Sequence, residues 1–308
     1  MVINMHSEFE MKAYKGQMVK GNKWIIDDTV KKSVVIMHGM NEYSFRYNDF
    51  AFFLNSNGYD VFALDHLGHG LNVDDPKDLL KWPKDGFIQC VENAYCLIEK
   101  LKEEGREVIV FAHSMGSFMG QCLIERHPGV VNKIILCGTS GPQPLIQKLG
   151  GMIARIVGTF TLDGKKPSKF MDHLCFSSYN NKIKNKRTKF DWLSVNKQNV
   201  DKYINDPYCG AIPSKNFFYS FIGNISKIFK RKNINRIDSN THVLFIVGQD
   251  DPVGNYVKSI KKLQSLYIKR KISSSLISYE NMRHEILNED KKEQVYLDVL
   301  TFLNEKCS

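Results

Sequence analysis

Short apolar runs that alternate with helical patterns constrain the fold of this 308-residue chain more than any other feature. The runs lie at residues 34–37, 61–64, 108–111, 134–137, 243–247 and 276–279. Runs without a polar face are typical of strands that are buried on both faces. Helical patterns follow at residues 50–57, 87–102, 115–126, 256–268 and 294–304. This alternation predicts an α/β fold with a mostly parallel central sheet and helices on both faces.

Two parts of the chain depart from this alternation. Residues 8–26 alternate apolar and polar side chains around two Lys-Gly pairs, which is typical of an antiparallel hairpin. Residues 141–240 contain no comparable strand run and hold helix-like segments that are rich in aromatic residues and lysine. We therefore expect a core formed by residues 1–140 and 241–308. Residues 141–240, here called the insertion, are expected to form a mainly helical cap between the fourth and fifth strands of the parallel series.

The basic residues of the chain concentrate in the insertion. It holds 18 Lys and Arg residues against 6 Asp and Glu residues, whereas the rest of the chain holds 25 against 27. Such an excess is most simply a solvated surface, and it also fits attraction to anionic phospholipid or to nucleic acid. No recognition motif accompanies the basic residues, so we expect no nucleic-acid partner.

Three classes of protein are disfavoured by the sequence. No window approaches the 18 or so apolar residues that a membrane-spanning helix needs. Residues 1–12 contain Glu8 and Glu10 and lack the apolar stretch of a secretory signal, so we expect a cytoplasmic protein. The seven cysteines are scattered without a C-x-x-C pair, which argues against a disulfide framework or a zinc site.

Ser114 is the first residue with a chemical signal. It stands at the centre of the Ala-His-Ser-Met-Gly sequence at 112–116, directly after the strand run at 108–111. Small residues two positions before and after a serine let the backbone turn sharply and expose Oγ, as in a nucleophile elbow. A helix N-cap is the alternative role for a serine here. Its position after a core strand favours the nucleophile.

A serine nucleophile needs a base, and a carboxylate must orient that base. With a serine on a strand-to-helix elbow, the chain order is serine, acid, histidine. Of the nine histidines, only His284 follows an acid placed after the insertion, and it lies just past the last strand run. Asp250 and Asp251 both follow the run at 243–247 and remain alternatives for the acid. Either could instead form the turn ahead of Pro252.

An oxyanion formed during acyl transfer needs two backbone N–H donors. One is expected from Met115, the residue after the nucleophile. The other is expected from Met40, in the loop that follows the run at 34–37, where Gly39 lets the backbone approach a substrate. The alternative for this loop is an ordinary strand-to-helix turn. With Ser114 as nucleophile, an oxyanion hole is favoured over that turn.

Several stretches of the sequence form recognisable motifs. They lie at residues 38–42 with 46–47, 65–70, 112–116, 248–253 and 283–289, and a further stretch runs from 192 to 210. In these motifs the chain resembles the α/β-hydrolase superfamily, and within it the monoacylglycerol lipase and lysophospholipase-like group, which is often classed with serine aminopeptidases. The resemblance implies Ser114 as nucleophile, Asp251 as orienting acid, His284 as base, and the Met40 and Met115 amides as oxyanion hole. It implies no metal and no organic cofactor.

Four positions depart from the usual motifs of this group. Ala112 stands for glycine, Tyr43 for histidine, Leu67 for arginine and Asn72 for serine or threonine. None of these departures removes a catalytic group. Tyr43 lies near the predicted oxyanion loop, where it bears on the choice of substrate.

In this group the insertion forms a cap over the serine, and the resemblance suggests that it shapes an acyl-binding pocket. Its apolar residues suit that role, although about half of them are expected to serve plain packing. They are Met152, Ile153, Ile156, Val157, Phe160, Phe170, Phe176, Phe217, Phe218, Phe221 and Ile222.

A basic, aromatic cap suits a lipid with an anionic head group. We therefore expect hydrolysis of lysophospholipid or monoacylglycerol through an acyl-enzyme on Ser114, with transient contact to an anionic membrane surface. The alternatives are a short-chain carboxylesterase, a serine aminopeptidase, an acyltransferase, and a lipid-binding protein without catalysis.

Overall fold

One eight-stranded sheet organises the computed structural model, which describes residues 5–27, 29–143, 151–153, 156 and 163–305. The strands are β1 (Met5–Lys12), β2 (Met18–Ile25), β3 (Lys32–Met37), β4 (Asp60–Leu64), β5 (Glu107–His113), β6 (Lys133–Cys137), β7 (His242–Gly248) and β8 (Ser274–Tyr279). Their order in the sheet is β1-β2-β4-β3-β5-β6-β7-β8. Strand β2 pairs antiparallel with β1 and β4, and the other pairings are parallel. The mostly parallel sheet predicted from the sequence is confirmed.

Helices connect the parallel strands. They are α1 (Asn48–Asn55), α2 (Gly86–Glu103), α3 (Met115–Arg126), α4 (Lys169–Phe176), α5 (Lys197–Asn205), α6 (Lys215–Ile228), α7 (Arg231–Ile234), α8 (Lys258–Ile268) and α9 (Lys292–Asn304). Short 3-10 helices cover Tyr14–Gly16, Ser44–Tyr47, Gly70–Asn72, Pro76–Asp78, Asp191–Leu193 and Ile286–Asn288. Helices α4 to α7 lie between β6 and β7, inside the insertion. Among the described residues, no helix is both long enough and apolar enough to cross a membrane.

The N-terminal hairpin forms as predicted, but only one of its two Lys-Gly pairs makes the turn. The turn is the 3-10 helix Tyr14–Gly16, whereas Gly21 lies inside β2 and pairs with Leu64 of β4. A Cβ atom at Gly21 would lie 2.2 Å from the carbonyl oxygen of Ala63. Glycine is needed there because two backbones approach closely, not because the chain turns.

Apolar cores on both faces of the sheet explain the continuous apolar runs. Val35 and Met37 of β3 pack in one core with α2, α3, α6 and α8. Val34 and Ile36 of the same strand pack in the other core with α1 and α9. Because successive residues of a strand point to opposite faces, a strand with two covered faces needs apolar residues at every position.

The apolar residues of the insertion divide among three surroundings. Phe217 and Phe218 of α6 are fully buried in the core that contains Met37. Phe176 and Phe221 line the cavity described below. Phe170 is 64% exposed on α4. Val157 and Phe160 lie outside the described residues.

Candidate active site

Ser114 occupies a sharp turn between β5 and α3. Its backbone has φ 51° and ψ −118°, a left-handed conformation that is rare for a residue with a side chain. Its N–H donates to the carbonyl oxygen of Cys137 at 2.9 Å, which fixes the turn against β6. A Cβ atom at Gly116 would lie 2.0 Å from the carbonyl oxygen of Met37. A residue larger than glycine there would force the first turn of α3 away from the sheet.

Three side chains from separate loops meet in a hydrogen-bonded series. Nε2 of His284, after β8, lies 2.8 Å from Oγ of Ser114. Nδ1 of His284 lies 2.9 Å from Oδ2 of Asp251, after β7. The Val253 amide donates to the other Asp251 oxygen at 2.8 Å and so orients the carboxylate. Asp251 is fully buried, whereas its neighbour Asp250 is exposed and lies outside the series.

Met40 and Met115 line the same cavity as Ser114. The loop before Met40 lies close to the serine, because a Cβ atom at Gly39 would be 3.1 Å from Cβ of Ser114. The Gly39 amide donates to Oε1 of Glu42 at 2.6 Å, which holds the loop in a tight turn. Met115 is the first residue of α3, where backbone N–H groups and the helix dipole favour negative charge.

A buried network of charged side chains surrounds this series, and the sequence reasoning assigned its members no role. Arg46 donates two hydrogen bonds to Glu285, both at 2.9 Å, and one to Glu42 at 3.1 Å. Nδ1 of His113 lies 2.9 Å from Oε1 of Glu42, and Nε2 lies 3.4 Å from the carbonyl oxygen of His284. Both ring nitrogens of His113 thus face oxygen acceptors, as a charged imidazolium requires.

The pKa shifts in the network favour its charged state. Burial alone would raise the pKa of Glu42 and lower that of His113. Their mutual hydrogen bond and opposite charges reverse both effects, so the pKa of Glu42 is lowered and that of His113 is raised. Burial would likewise raise the pKa of Glu285, but Arg46 lowers it. Each buried charge therefore has a partner, and removing one partner would leave another uncompensated.

The insertion is hydrogen-bonded to the loop that carries His284. Arg283 donates to the carbonyl oxygen of Ser194 at 2.9 Å. Glu289 accepts a hydrogen bond from Oγ of Ser194 at 2.7 Å. The ring of Trp192 packs against that of His284 with centroids 5.0 Å apart. The positions of the insertion and of His284 are therefore coupled.

Three further histidines pack together near the loop that contains Met40. The ring centroid of His38 lies 4.1 Å from that of His66 and 5.2 Å from that of His69. Burial lowers the pKa of all three, that of His69 to about 3. They are neutral packing groups at neutral pH. No group of three or more His, Cys, Asp or Glu residues in the described part of the chain is arranged to hold a metal ion.

A cavity of about 590 Å³ opens beside Ser114, and its wall has two chemical characters. Its apolar lining includes Met115, Phe118, Phe176, Phe221 and Ile225. Its polar lining includes Asn41, Lys169, Asp172, His173, Asn180 and Lys189. The core and the insertion both contribute to this wall.

Comparison with known proteins places the chain in a family and confirms its fold. The family model described as serine aminopeptidase, S33, matches residues 28–291. The chain belongs to the serine aminopeptidase S33 family. The α/β-hydrolase fold that the sequence motifs implied is confirmed by solved structures as well. A thermostable carboxyl esterase from Bacillus coagulans superposes with a TM-score of 0.89 at 24% identity, covering 97% of this chain and 98% of the esterase.

Relatives of this S33 family member include lipases. A monoglyceride lipase homolog of Monkeypox virus is 25% identical over 277 residues, which is 89% of each chain. A monoacylglycerol lipase of Mycolicibacterium smegmatis is 25% identical over 166 residues, 51% of this chain and 56% of the relative. The structure of a soluble variant of monoglyceride lipase from Saccharomyces cerevisiae, in complex with a substrate analog, has a TM-score of 0.74 at 17% identity, covering 97% of this chain and 96% of the yeast protein. The chain is thus an α/β-hydrolase that is related to lipases and esterases.

Proposed function

We propose that this protein is a serine hydrolase that cleaves the carboxylic ester of lipids with one acyl chain, lysophospholipid or monoacylglycerol. The hydrogen-bonded series Ser114–His284–Asp251 at the wall of a largely apolar cavity carries this proposal. The lipase relatives support the lipid substrate.

Acyl transfer in this site takes two steps. His284 accepts the proton of Ser114 as Oγ attacks the ester carbonyl, and the Met40 and Met115 amides donate to the oxyanion. His284 then gives the proton to the departing alcohol, which leaves an acyl-enzyme on Ser114. Water gives a proton to His284 as it attacks the acyl carbonyl. The bond between Oγ and the acyl carbon then breaks, His284 returns the proton to Oγ of Ser114, and the fatty acid departs. Asp251 holds the ring of His284 and stabilises its charged form.

The apolar wall suits an acyl chain. Phe118 of α3 comes from the core, whereas Phe176, Phe221 and Ile225 come from the insertion. A cavity of this volume with a largely apolar lining and a few polar groups is typical of small-molecule sites. We propose on this basis that the insertion, residues 141–240, acts as the cap of the site.

The polar wall favours an anionic head group. Lys169, His173 and Lys189 line it, with Asp172 among them. Burial raises the pKa of Asp172, and the two lysines outnumber this single carboxylate. The phosphate of a lysophospholipid matches this charge better than the neutral head of a monoacylglycerol.

Helix α4 supports transient contact with an anionic membrane surface. Phe170 and Leu174, one turn apart on this helix, are 64% and 46% exposed. Lys165 and Lys166 precede them. Apolar side chains beside lysines suit the interface of anionic lipid. Replacing both apolar residues by serine should weaken sedimentation with phosphatidylserine vesicles more than with phosphatidylcholine vesicles.

The test is hydrolysis of a substrate panel by wild type, Ser114→Ala and Ser177→Ala. Ser177 is an exposed serine that lines the same cavity and serves as the control. We expect wild type and Ser177→Ala to release fatty acid from monoacylglycerol and lysophospholipid, and Ser114→Ala to release none. Added salt should weaken only the lysophospholipid reaction.

Other outcomes identify the alternatives. Cleavage of short esters alone would indicate a short-chain carboxylesterase, and cleavage of aminoacyl-anilides would indicate an aminopeptidase. New esters formed in the presence of glycerol would indicate a transferase. Lipid binding with no turnover of any ester would overturn the proposal in favour of a binding protein.

A further inference from the structure

Asn41 occupies an unusual position beside the reacting serine. It directly follows Met40 and lines the cavity that contains Ser114. Its backbone has φ 60°, a left-handed conformation that asparagine and glycine tolerate better than other residues. The residue is 7% exposed, so it is packed into the wall of the site.

The side-chain oxygen of Asn41 distinguishes it from the other asparagine that lines the cavity. Its Oδ1 is buried and unpaired among the residues that the structure describes. Asn180, the other asparagine of the cavity wall, contrasts with it. The Asn180 amide donates to the carbonyl oxygen of Thr188 at 2.8 Å and accepts from the Trp192 amide at 2.9 Å. Because an unpaired buried polar group is costly, Asn41 is better explained by a ligand than by the fold.

The ligand group that fits is a hydroxyl. An amide carries both a donor and an acceptor, and a hydroxyl likewise donates and accepts, so the two match in either orientation of the amide. Asn41 adjoins the residue expected to bind the oxyanion and lines the cavity that contains Ser114, so we expect the alcohol part of a bound ester beside its side chain. Lysophospholipids and monoacylglycerols carry a free hydroxyl on the glycerol carbon next to the esterified one.

We propose that Asn41 binds the free hydroxyl beside the scissile ester and so selects esters of polyols over esters of simple alcohols. This inference rests on the proposed ester hydrolysis at Ser114. The adjacent hydroxyl is the substrate group that distinguishes lysolipids and monoacylglycerols from alkyl esters.

The experiment compares four esters of one fatty acid: the glyceryl, 2-hydroxypropyl, 3-hydroxypropyl and propyl esters. The acyl chain is constant, and only the glyceryl and 2-hydroxypropyl esters carry a hydroxyl on the carbon next to the esterified one. We expect the wild type to favour these two by about tenfold in kcat/KM, as one hydrogen bond allows. Asn41→Gly, which keeps the left-handed backbone, should abolish this preference and leave the propyl ester within about twofold.

Asn180→Ala is the matched control. Because its amide is bonded within the protein, its loss should lower kcat/KM for all four esters by the same factor. An equal fall on all four esters in Asn41→Gly, or no change on any, overturns the inference while the hydrolase stands. A wild type that cleaves none of the four esters overturns the proposed function and the inference with it.

Discussion

The strand ends of the sheet and the insertion build one cavity in different ways. Ser114, Asp251 and His284 follow three parallel strands, so the register of the sheet places them. The insertion contributes side chains such as Phe176 and Lys189 that line the cavity. We therefore expect changes at these three residues to lower turnover of every ester, and changes at the lysines of the insertion that line the cavity to alter the preference among head groups.

The largest expected effect concerns the two neighbouring aspartates. Asp251→Asn should lower kcat about 10⁴-fold on every ester, because His284 loses the carboxylate that orients it. Asp250→Asn, one residue earlier and exposed, should change kcat less than about twofold. Steady-state kinetics on one short and one long ester check both. A large loss in Asp250→Asn with an active Asp251→Asn would reverse the assignment.

The buried network should give the next largest effect. Glu42→Gln removes the charge that pairs with His113 and Arg46 and replaces one carboxylate oxygen by an NH2 group that cannot accept a hydrogen bond. We expect kcat to fall about 10²-fold with little change in KM, because misplaced catalytic groups slow the chemical step. Steady-state kinetics on one ester give kcat and KM, and circular dichroism verifies that the variant is folded. A raised KM at unchanged kcat would show that Glu42 serves binding instead.

Insertion lysines should give a smaller and selective effect. Replacing Lys169 and Lys189 together by glutamine should lower kcat/KM for lysophospholipid about fivefold at low salt, and hardly for monoacylglycerol. The difference should vanish near 1 M salt, where charges are screened within about 3 Å. Lys184 and Lys186, exposed in the same insertion, provide the control pair. Equal losses on both lipids would contradict a head-group role.

The smallest expected effect is on stability and lies in the core. Burial raises the pKa of Glu125 in α3 to about 9, against an ordinary value of 4.5. Glu125 therefore ionises at a lower pH in the unfolded state than in the folded state. The free energy of unfolding falls as pH rises from about 4.5 to about 9. Glu125→Gln should raise Tm by about 5 °C at pH 8 and by less at pH 5. Parallel Tm curves of the two proteins against pH would contradict this.

The sheet and the placement of the site could be predicted because they depend on local pattern. The strand runs and the elbow around Ser114 are contiguous in sequence, and the order of serine, acid and histidine follows from the fold. The choice between Asp250 and Asp251 needed the resemblance to a family, because it depends on which way a side chain leaves a turn.

The charged network and Asn41 were beyond the sequence for a different reason. Glu42 and Glu285 are 243 positions apart, and nothing in the pattern shows that Arg46 bridges them. Among the described residues, Oδ1 of Asn41 is unpaired whereas the side-chain amide of Asn180 is hydrogen-bonded, and composition and spacing do not reveal this difference. Contacts between distant side chains require the folded chain.

Fluorophosphonate labelling with peptide mapping tests the central claim most directly, because the reagent reacts with an activated serine. We expect one adduct on Ser114 in the wild type, none in Ser114→Ala, and strongly slowed labelling in His284→Ala, where no base accepts the serine proton. No adduct on the wild type, or an adduct on another residue with Ser114 unmodified, would contradict the account.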